Sequence, residues 1–144
     1  KKRARQNNSM NTVVFGAFDL LHEGHISFLN QAAAVGNDVT VILAQDEMIR
    51  TLKGRVPVQS FDQRKTQLQT LPCVHNVLGG DTVIGSYEVL SKAQPDLIFL
   101  GYDQEKLGKS LTDFIQAQNL NIPIKIAESH EPERFKTSLL REQL

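Results

Sequence analysis

The sequence is short of cysteine, of net charge and of long apolar runs, and each shortage closes off a class of protein. The single thiol, Cys73, cannot form an internal disulfide, and it is too few for a zinc ribbon or for c-type haem attachment. The fold must therefore rest on its core, and a reducing cytoplasm is the expected home. No apolar run approaches the roughly 20 residues that cross a bilayer, and nothing at the amino end resembles the apolar middle of a signal peptide. Neither membrane spanning nor secretion is expected.

Lys and Arg number 16 and Asp and Glu 16, but the balance is uneven along the chain. Lys1, Lys2, Arg3 and Arg5 all precede Met10; without those four, 12 basic residues face 16 acidic ones, an excess of four negative charges. A basic arm can hold nucleic acid. Lys1–Ser9 ahead of a methionine reads rather as a disordered extension or a cloning remnant, and the mildly acidic body lacks the clustered positive charge that a duplex requires. Residues 1–10 are accordingly set apart from a domain spanning 11–144, and neither nucleic acid nor a membrane is an expected partner.

What is present is a chain of 144 residues, 40% hydrophobic, long enough to bury about two-thirds of its unfolded surface in one core. Thr12–Phe15 is short, β-branched and ended by Gly16, which predicts a buried strand. Between Leu21 and Val35 the apolar Ile26, Leu29 and Ala33 fall at helical spacing, with Gly36 where a left-handed carboxyl cap is expected. The alternation continues with strand Val39–Leu43, a helix capped by Asp46 and running through Leu52, a break at Gly54–Pro57, and a helix capped by Asp62 and stopped by Pro72. Strand Val74–Leu78, helix Tyr87–Ala93, strand Leu97–Leu100, helix Leu111–Gln118 and strand Ile122–Ile126 complete it. Strands separated by helices imply an α/β fold, a Rossmann-like, doubly wound, parallel five-stranded sheet in three layers. Ligands of such sheets bind beyond the carboxyl ends of the strands, so the loops after Phe15, Leu43 and Leu100 should carry the chemistry.

The first of these loops reads Gly16-Ala17-Phe18-Asp19-Leu20-Leu21-His22-Glu23-Gly24-His25 and leads into a helix. Two histidines three apart at a helix start share a face with free backbone N–H groups and the positive end of the helix dipole, an arrangement suited to polyphosphate. Gly16 would let a phosphate approach the backbone, and Gly24 would keep the space between the imidazoles clear. Zinc ligation by His-x-x-His would need a third ligand that no cysteine cluster supplies. The spacing also departs from Gly-x-Gly-x-x-Gly and from the phosphate loop ending in Gly-Lys-Ser/Thr.

Gly-x-Phe-Asp-Leu-Leu-His-x-Gly-His resembles the opening motif of the small nucleotidyltransferases: the cytidylyltransferases, heptose-phosphate adenylyltransferases and archaeal-type FAD synthetases. The resemblance extends over most of the chain after Met10. Lys53-Gly54-Arg55 with Pro57, and then Arg64, resemble the mobile lysine loop and the helix arginine that bind triphosphate. Gly101-Tyr102-Asp103-Gln104 resembles the nucleotide-binding loop after strand four, in a form closest to the archaeal FAD synthetases. Lys136-Thr137-Ser138-Leu139-Leu140-Arg141 resembles the hydroxyl-rich segment that caps the last helix against the β- and γ-phosphates. Two departures from the family's pattern stand ahead of and within that segment: Glu131-Pro132-Glu133-Arg134 replaces Arg-Thr-x-Gly, and Lys136 replaces a small hydroxyl residue.

The resemblance implies attack by a phosphate monoester on the α-phosphorus of a nucleoside triphosphate, with pyrophosphate leaving and no protein nucleophile. Catalytic roles would fall to His22, His25 and Lys53. Nucleotide contacts would come from Gly16, Ala17, Phe18, Gly24, Arg64, Gly101, Asp103, Thr137 and Ser138. Asp46, at the mouth of strand two, would meet the second substrate, and Asp19 would brace its loop. Magnesium, or another divalent cation, would accompany the triphosphate, with no metal-binding side chain assigned. A homodimer is implied as well. The leading reading is adenylyl transfer from ATP to FMN, on the strength of the Gly-Tyr-Asp-Gln loop. The alternative is cytidylyl transfer from CTP to glycerol 3-phosphate or a similar polyol or amino-alcohol phosphate. A further alternative is a nucleotide-binding protein without transferase activity, suggested by the altered segment before Thr137.

Overall fold

Residues 10–128 are described by the structure, a computed structural model. The segments 1–9 and 129–144, which include the expected extension and the candidate residues Thr137 and Ser138, lie outside the described residues. The chain alternates β1 (Asn11–Gly16), α1 (Glu23–Val35), β2 (Asp38–Leu43), α2 (Asp46–Lys53), α3 (Phe61–Gln69), β3 (Asn76–Gly79), α4 (Val89–Ala93), β4 (Leu97–Leu100), α5 (Glu105–Ala117) and β5 (Ile124–Ile126). The five strands form one parallel sheet in the order β3-β2-β1-β4-β5. The chain thus works outward from β1 to β3 on one side and from β4 to β5 on the other, which puts the switch point between β1 and β4.

Both faces of the sheet are covered, and the alternation of side chains along each strand divides the core in two. On one face Val14, Val39, Val41, Leu43, Val77 and Phe99 pack with Leu29 and Ala32 of α1 and Leu68 of α3. On the other, Val13 and Ile42 meet Val89 and Ala93 of α4, while Ile98 and Leu100 meet Leu90 of α4 and Leu111 and Ile115 of α5. Neighbours in sequence, such as Val13 and Val14, therefore serve opposite layers. Among the described residues no helix is long and apolar enough to cross a membrane.

Several boundaries differ from the sequence expectation, each for a local reason. Helix α1 starts at Glu23 rather than Leu21, because Leu20 takes a left-handed backbone (φ 58°) and His22 an extended one. It ends on a Gly36 that is extended (φ −142°) rather than left-handed, its lack of a side chain serving the close approach of Thr12 and Met10. Asp62 does not cap α3: Ser60 does, in a reciprocal box where its hydroxyl accepts from the Gln63 amide and the Gln63 side chain accepts from the Ser60 amide. Asp46 does not cap α2 either; it is the first helical residue, its carboxylate drawn to Arg64, while Gln45 holds the cap position and donates to Gly80 O. Strand β3 begins at Asn76, since a turn closed by Val74 N to Leu71 O occupies the expected start. Helix α4 is shorter than expected, with Tyr87 left-handed ahead of it (φ 45°). Helix α5 begins six residues before the expected Leu111, for Gly108 masks its periodicity. A Cβ at Gly108 would lie 3.3 Å from Leu100 Cδ1, close enough that the leucine side chain would have to give way slightly. Strand β5 starts after Pro123, which has no N–H for a ladder.

Candidate active site

The carboxyl ends of β1, β2 and β4 converge as expected, and the loop after β1 is the most constrained of the three. Phe18 (φ 49°) and Leu20 (φ 58°) are left-handed without being glycine, a strain of about 1 kcal/mol or more each. The Phe18 ring supplies the compensation. It is 4% exposed and packs edge-on against His25 and beside Phe28, which itself stacks on Phe99. The ring folds back over Gly16, where a Cβ would lie 2.7 Å from it. Gly16 thus has to be small to admit the Phe18 ring, and the buried Phe18 side chain leaves its backbone as the part that could meet a nucleotide.

Asp19 anchors the same loop from the other side. Its two carboxylate oxygens accept from the backbone amides of Val58 and Gln59, at 2.8 and 2.9 Å, and the Gln59 side chain accepts from Leu20 N at 2.9 Å. The chain between α2 and α3 is therefore docked onto the β1 loop at Val58 and Gln59. Its beginning, from Lys53 to Val56, is exposed, and Gly54 turns it in the left-handed conformation (φ 76°).

His22 and His25 cap their own helix. Gly24 N donates to His22 Nδ1 at 3.0 Å, and His22 N donates to His25 Nδ1 at 3.3 Å. An imidazole that accepts at Nδ1 carries its proton at Nε2 when neutral, so both rings present an Nε2–H donor. The rings stack with centroids 3.9 Å apart and planes at 21°, so no gap lies between them for Gly24 to keep clear. His22 Nε2 is buried with no hydrogen-bond partner among the described residues, the kind of orphaned donor that a ligand oxygen would satisfy. Burial, and then the neighbouring His22, lower the His25 pKa to about 4 against the opposing pull of Asp19, so His25 is neutral near pH 7.

Arg64 departs from the sequence expectation. Its side chain is fully buried, and its guanidinium donates to the carbonyls of Gln59, Ala17 and Ala44 and to the Asp46 carboxylate. Four of its five N–H groups are thus used inside the protein. Arg64 ties the loops after β1 and β2 to the α2–α3 connection and presents no open face to a triphosphate. Asp46, paired with it, keeps a half-exposed carboxylate at the mouth of β2.

Across the switch point, Gly101 N donates to Gln104 Oε1 at 2.7 Å. Asp103 beside it is exposed. Partial desolvation raises its pKa, while its own backbone amide and the positive field of Lys53 work the other way. Sequence reasoning overlooked Gln59 and Ser60, and took Gln104 only as a member of the Gly-Tyr-Asp-Gln loop, without its bonds. The Ser-x-x-Gln spacing at 60–63 was a readable sign of the cap, whereas no local pattern marks the long-range bonds of Gln59 and Gln104.

Against this geometry the comparisons with known proteins are decisive on the family. Residues 13–143 match the model of the cytidylyltransferase-like family. The chain belongs to the cytidylyltransferase-like family. It is 35% identical over 133 residues to an FAD synthase of Thermococcus sibiricus, covering 92% of this chain and 90% of the relative. An FAD synthase of Methanohalobium evestigatum is 36% identical over 110 residues, 76% of this chain and 71% of that one. Among solved structures, the lipopolysaccharide core biosynthesis protein of Thermoplasma volcanium superposes with a TM-score of 0.77 at 25% identity, over 85% of this chain and 98% of that chain. This cytidylyltransferase-like chain is therefore a nucleotidyltransferase by family, and its sheet order and parallel strands are those of a Rossmann-like fold.

Proposed function

We propose that the protein joins ATP and FMN, transferring AMP to the FMN phosphate and releasing pyrophosphate to give FAD. The observation that carries this reading is the likeness to FAD synthases over nine-tenths of the chain. A phosphate oxygen of FMN would attack the α-phosphorus of ATP; the new P–O bond forms as the bond to the β-phosphate oxygen breaks, and no covalent protein intermediate is needed. Catalysis then rests on orientation and on donors aimed at charge that grows in the transition state. The Nε2–H groups of His22 and His25 fit that part, because each imidazole is held by its Nδ1, His22 Nε2 is buried without a partner among the described residues, and burial keeps His25 neutral. Lys53, at the exposed start of its loop, would close over the leaving pyrophosphate, and Gly101 and Asp103 would flank the nucleoside. Asp46 keeps the acceptor-side role with one carboxylate oxygen engaged by Arg64.

Magnesium fits as a companion of the triphosphate rather than as a protein-held ion. The Asp19 oxygens are taken by backbone amides, and among the described residues no group of three or more His, Cys, Asp or Glu is placed to hold a metal. Phosphate oxygens and water would complete its shell, and it would offset phosphate charge. The test is a matrix of ATP and CTP against FMN, glycerol 3-phosphate and phosphoethanolamine, read as pyrophosphate, with quenched flavin fluorescence as the sign of FAD. ATP with FMN should exceed CTP with FMN by about tenfold or more. A preference for CTP, or inert FMN beside reactive glycerol 3-phosphate, replaces this reading with cytidylyl transfer. Nucleotide binding without pyrophosphate in any combination replaces it with a binding protein.

A further inference from the structure

The ladder between the two central strands ends early. The pairing of β1 with β4 covers Thr12↔Leu97 and Val13↔Ile98, although β1 runs on to Gly16 and β4 to Leu100. On its other side β1 stays in register with β2 as far as Gly16↔Leu43. The sheet thus opens between β1 and β4 alone, at the switch point where doubly wound sheets take their ligands.

One side chain spans that opening. Gln104 Oε1 accepts from Gly101 N at 2.7 Å, and Gln104 Nε2 donates to the Phe15 carbonyl at 3.0 Å. A single carboxamide joins a backbone donor beyond β4 to a backbone acceptor near the end of β1, in place of the missing ladder. There is little slack beside it, for a Cβ on Gly101 would come 2.8 Å from Asp103 Oδ1 and 3.5 Å from Gln104 Oε1. The order of the site across the sheet is Lys53 after β2, the histidines after β1, and Gly101–Gln104 after β4. A triphosphate reaching from Lys53 to the histidines leaves its nucleoside at the β1–β4 opening.

We propose that Gln104 is a positioning residue for the nucleotide: its two hydrogen bonds set the separation of the β1 and β4 ends and so the width of the slot for the base. A bicyclic purine and a monocyclic pyrimidine differ most in the width they need, so the same clasp tunes the choice between them. The identity of the favoured base rests on the adenylyl-transfer reading above; the action of Gln104 on selectivity does not.

The experiment uses the full chain with Gln104→Leu, which keeps length and loses both bonds, and Gln104→Glu, which keeps the acceptor for Gly101 N and lacks the donor for Phe15 O. Calorimetry gives Kd for ATP and CTP, and steady-state assays separate KM for each substrate from kcat. In both variants Kd and KM for ATP should rise about tenfold, and the ratio of ATP to CTP affinity should move at least about fivefold toward parity. KM for FMN and kcat at saturating ATP should stay within about threefold. A merely structural role would not change a ratio measured within one folded protein. If Gln104→Leu fails to fold, Gln104→Glu carries the same measurement. An unchanged ratio overturns the proposal, and so does tighter ATP binding in either variant, which would mean that the side chain only fills the place of the base. A wild-type protein that makes no FAD overturns the substrate assignment instead, and the shift of the affinity ratio still decides the role of Gln104.

Discussion

In the histidine pair Nδ1 of each ring holds the helix start together, which leaves the proton on Nε2. The donors proposed for catalysis would thus rest on the same bonds that cap α1. Replacing His25 with alanine should lower turnover about 10²–10³-fold with a smaller change in KM for ATP, as expected of a donor whose partner charge develops in the transition state; near-normal turnover would remove His25 from the mechanism. The same burial gives a pH signature. Between its usual value of 6.5 and the folded value of about 4, His25 binds a proton in the unfolded chain but not in the folded one. Its contribution to stability is therefore complete above pH 6.5 and lost as the pH falls toward 4. The loss is at most about 3 kcal/mol, nearer 2 once the partial solvent access of the ring is allowed for. Urea melts across that range should show the decline, and His25→Gln should lack that part of it. Arg64 tells the converse story, because a residue type suited to phosphate has been turned inward. Arg64→Ala would strand three carbonyls and the Asp46 carboxylate, at a cost of about 3–5 kcal/mol, and Arg64→Lys should rescue little since one ammonium cannot reproduce the fork. A variant that melts like the wild type but has a raised KM for ATP would instead return Arg64 to the triphosphate. The sequence shows that position 64 is a helical arginine; only the packing reveals where its guanidinium goes.

At the scale of elements, the connection between α2 and α3 is a strap fixed at one end. Val58 and Gln59 are pinned by Asp19, while Lys53 to Val56 stand in solvent around a left-handed Gly54. Limited proteolysis should cut near Gly54 in the free protein, and ATP with magnesium should protect the site; absence of protection would rule out closure of Lys53 over the nucleotide. Asp19→Ala should speed that cut and lower stability by about 1–3 kcal/mol, since two bonds from backbone amides to a charged carboxylate are lost at once. The Gly54–Pro57 break and the helices around it were legible because glycine and proline act locally. The cap at Ser60 had a local signature that Asp62 obscured. Helix α5 was legible only in its second half, because Gly108 weakens the periodic signal for a reason that lies on another strand.

For the molecule as a whole, the parallel sheet divides the apolar core into two layers that share strands but not side-chain contacts. Leu29→Ala on the α1 face should cost about 2–5 kcal/mol and Ile98→Val on the α5 face about 0.5–1.5 kcal/mol. Denaturant melts of the double variant should return their sum within about 0.5 kcal/mol, and a coupling well above that would contradict two independent layers. The alternation of strands and helices, the parallel sheet and the loops that bear the site all follow from the sequence alone, because they depend on hydrophobic period and on turn residues close to one another in the chain. The histidine loop was legible for the same reason, being ten consecutive residues. The tertiary structure decided where the side chains of those loops go. Phe18 turned into the core, Arg64 became an internal clamp, and Asp19 and Gln104 became bridges, bonding across separations of 39 and 89 residues. Such bonds leave no trace in local periodicity, since a buried donor or carbonyl must find its partner wherever the fold brings one.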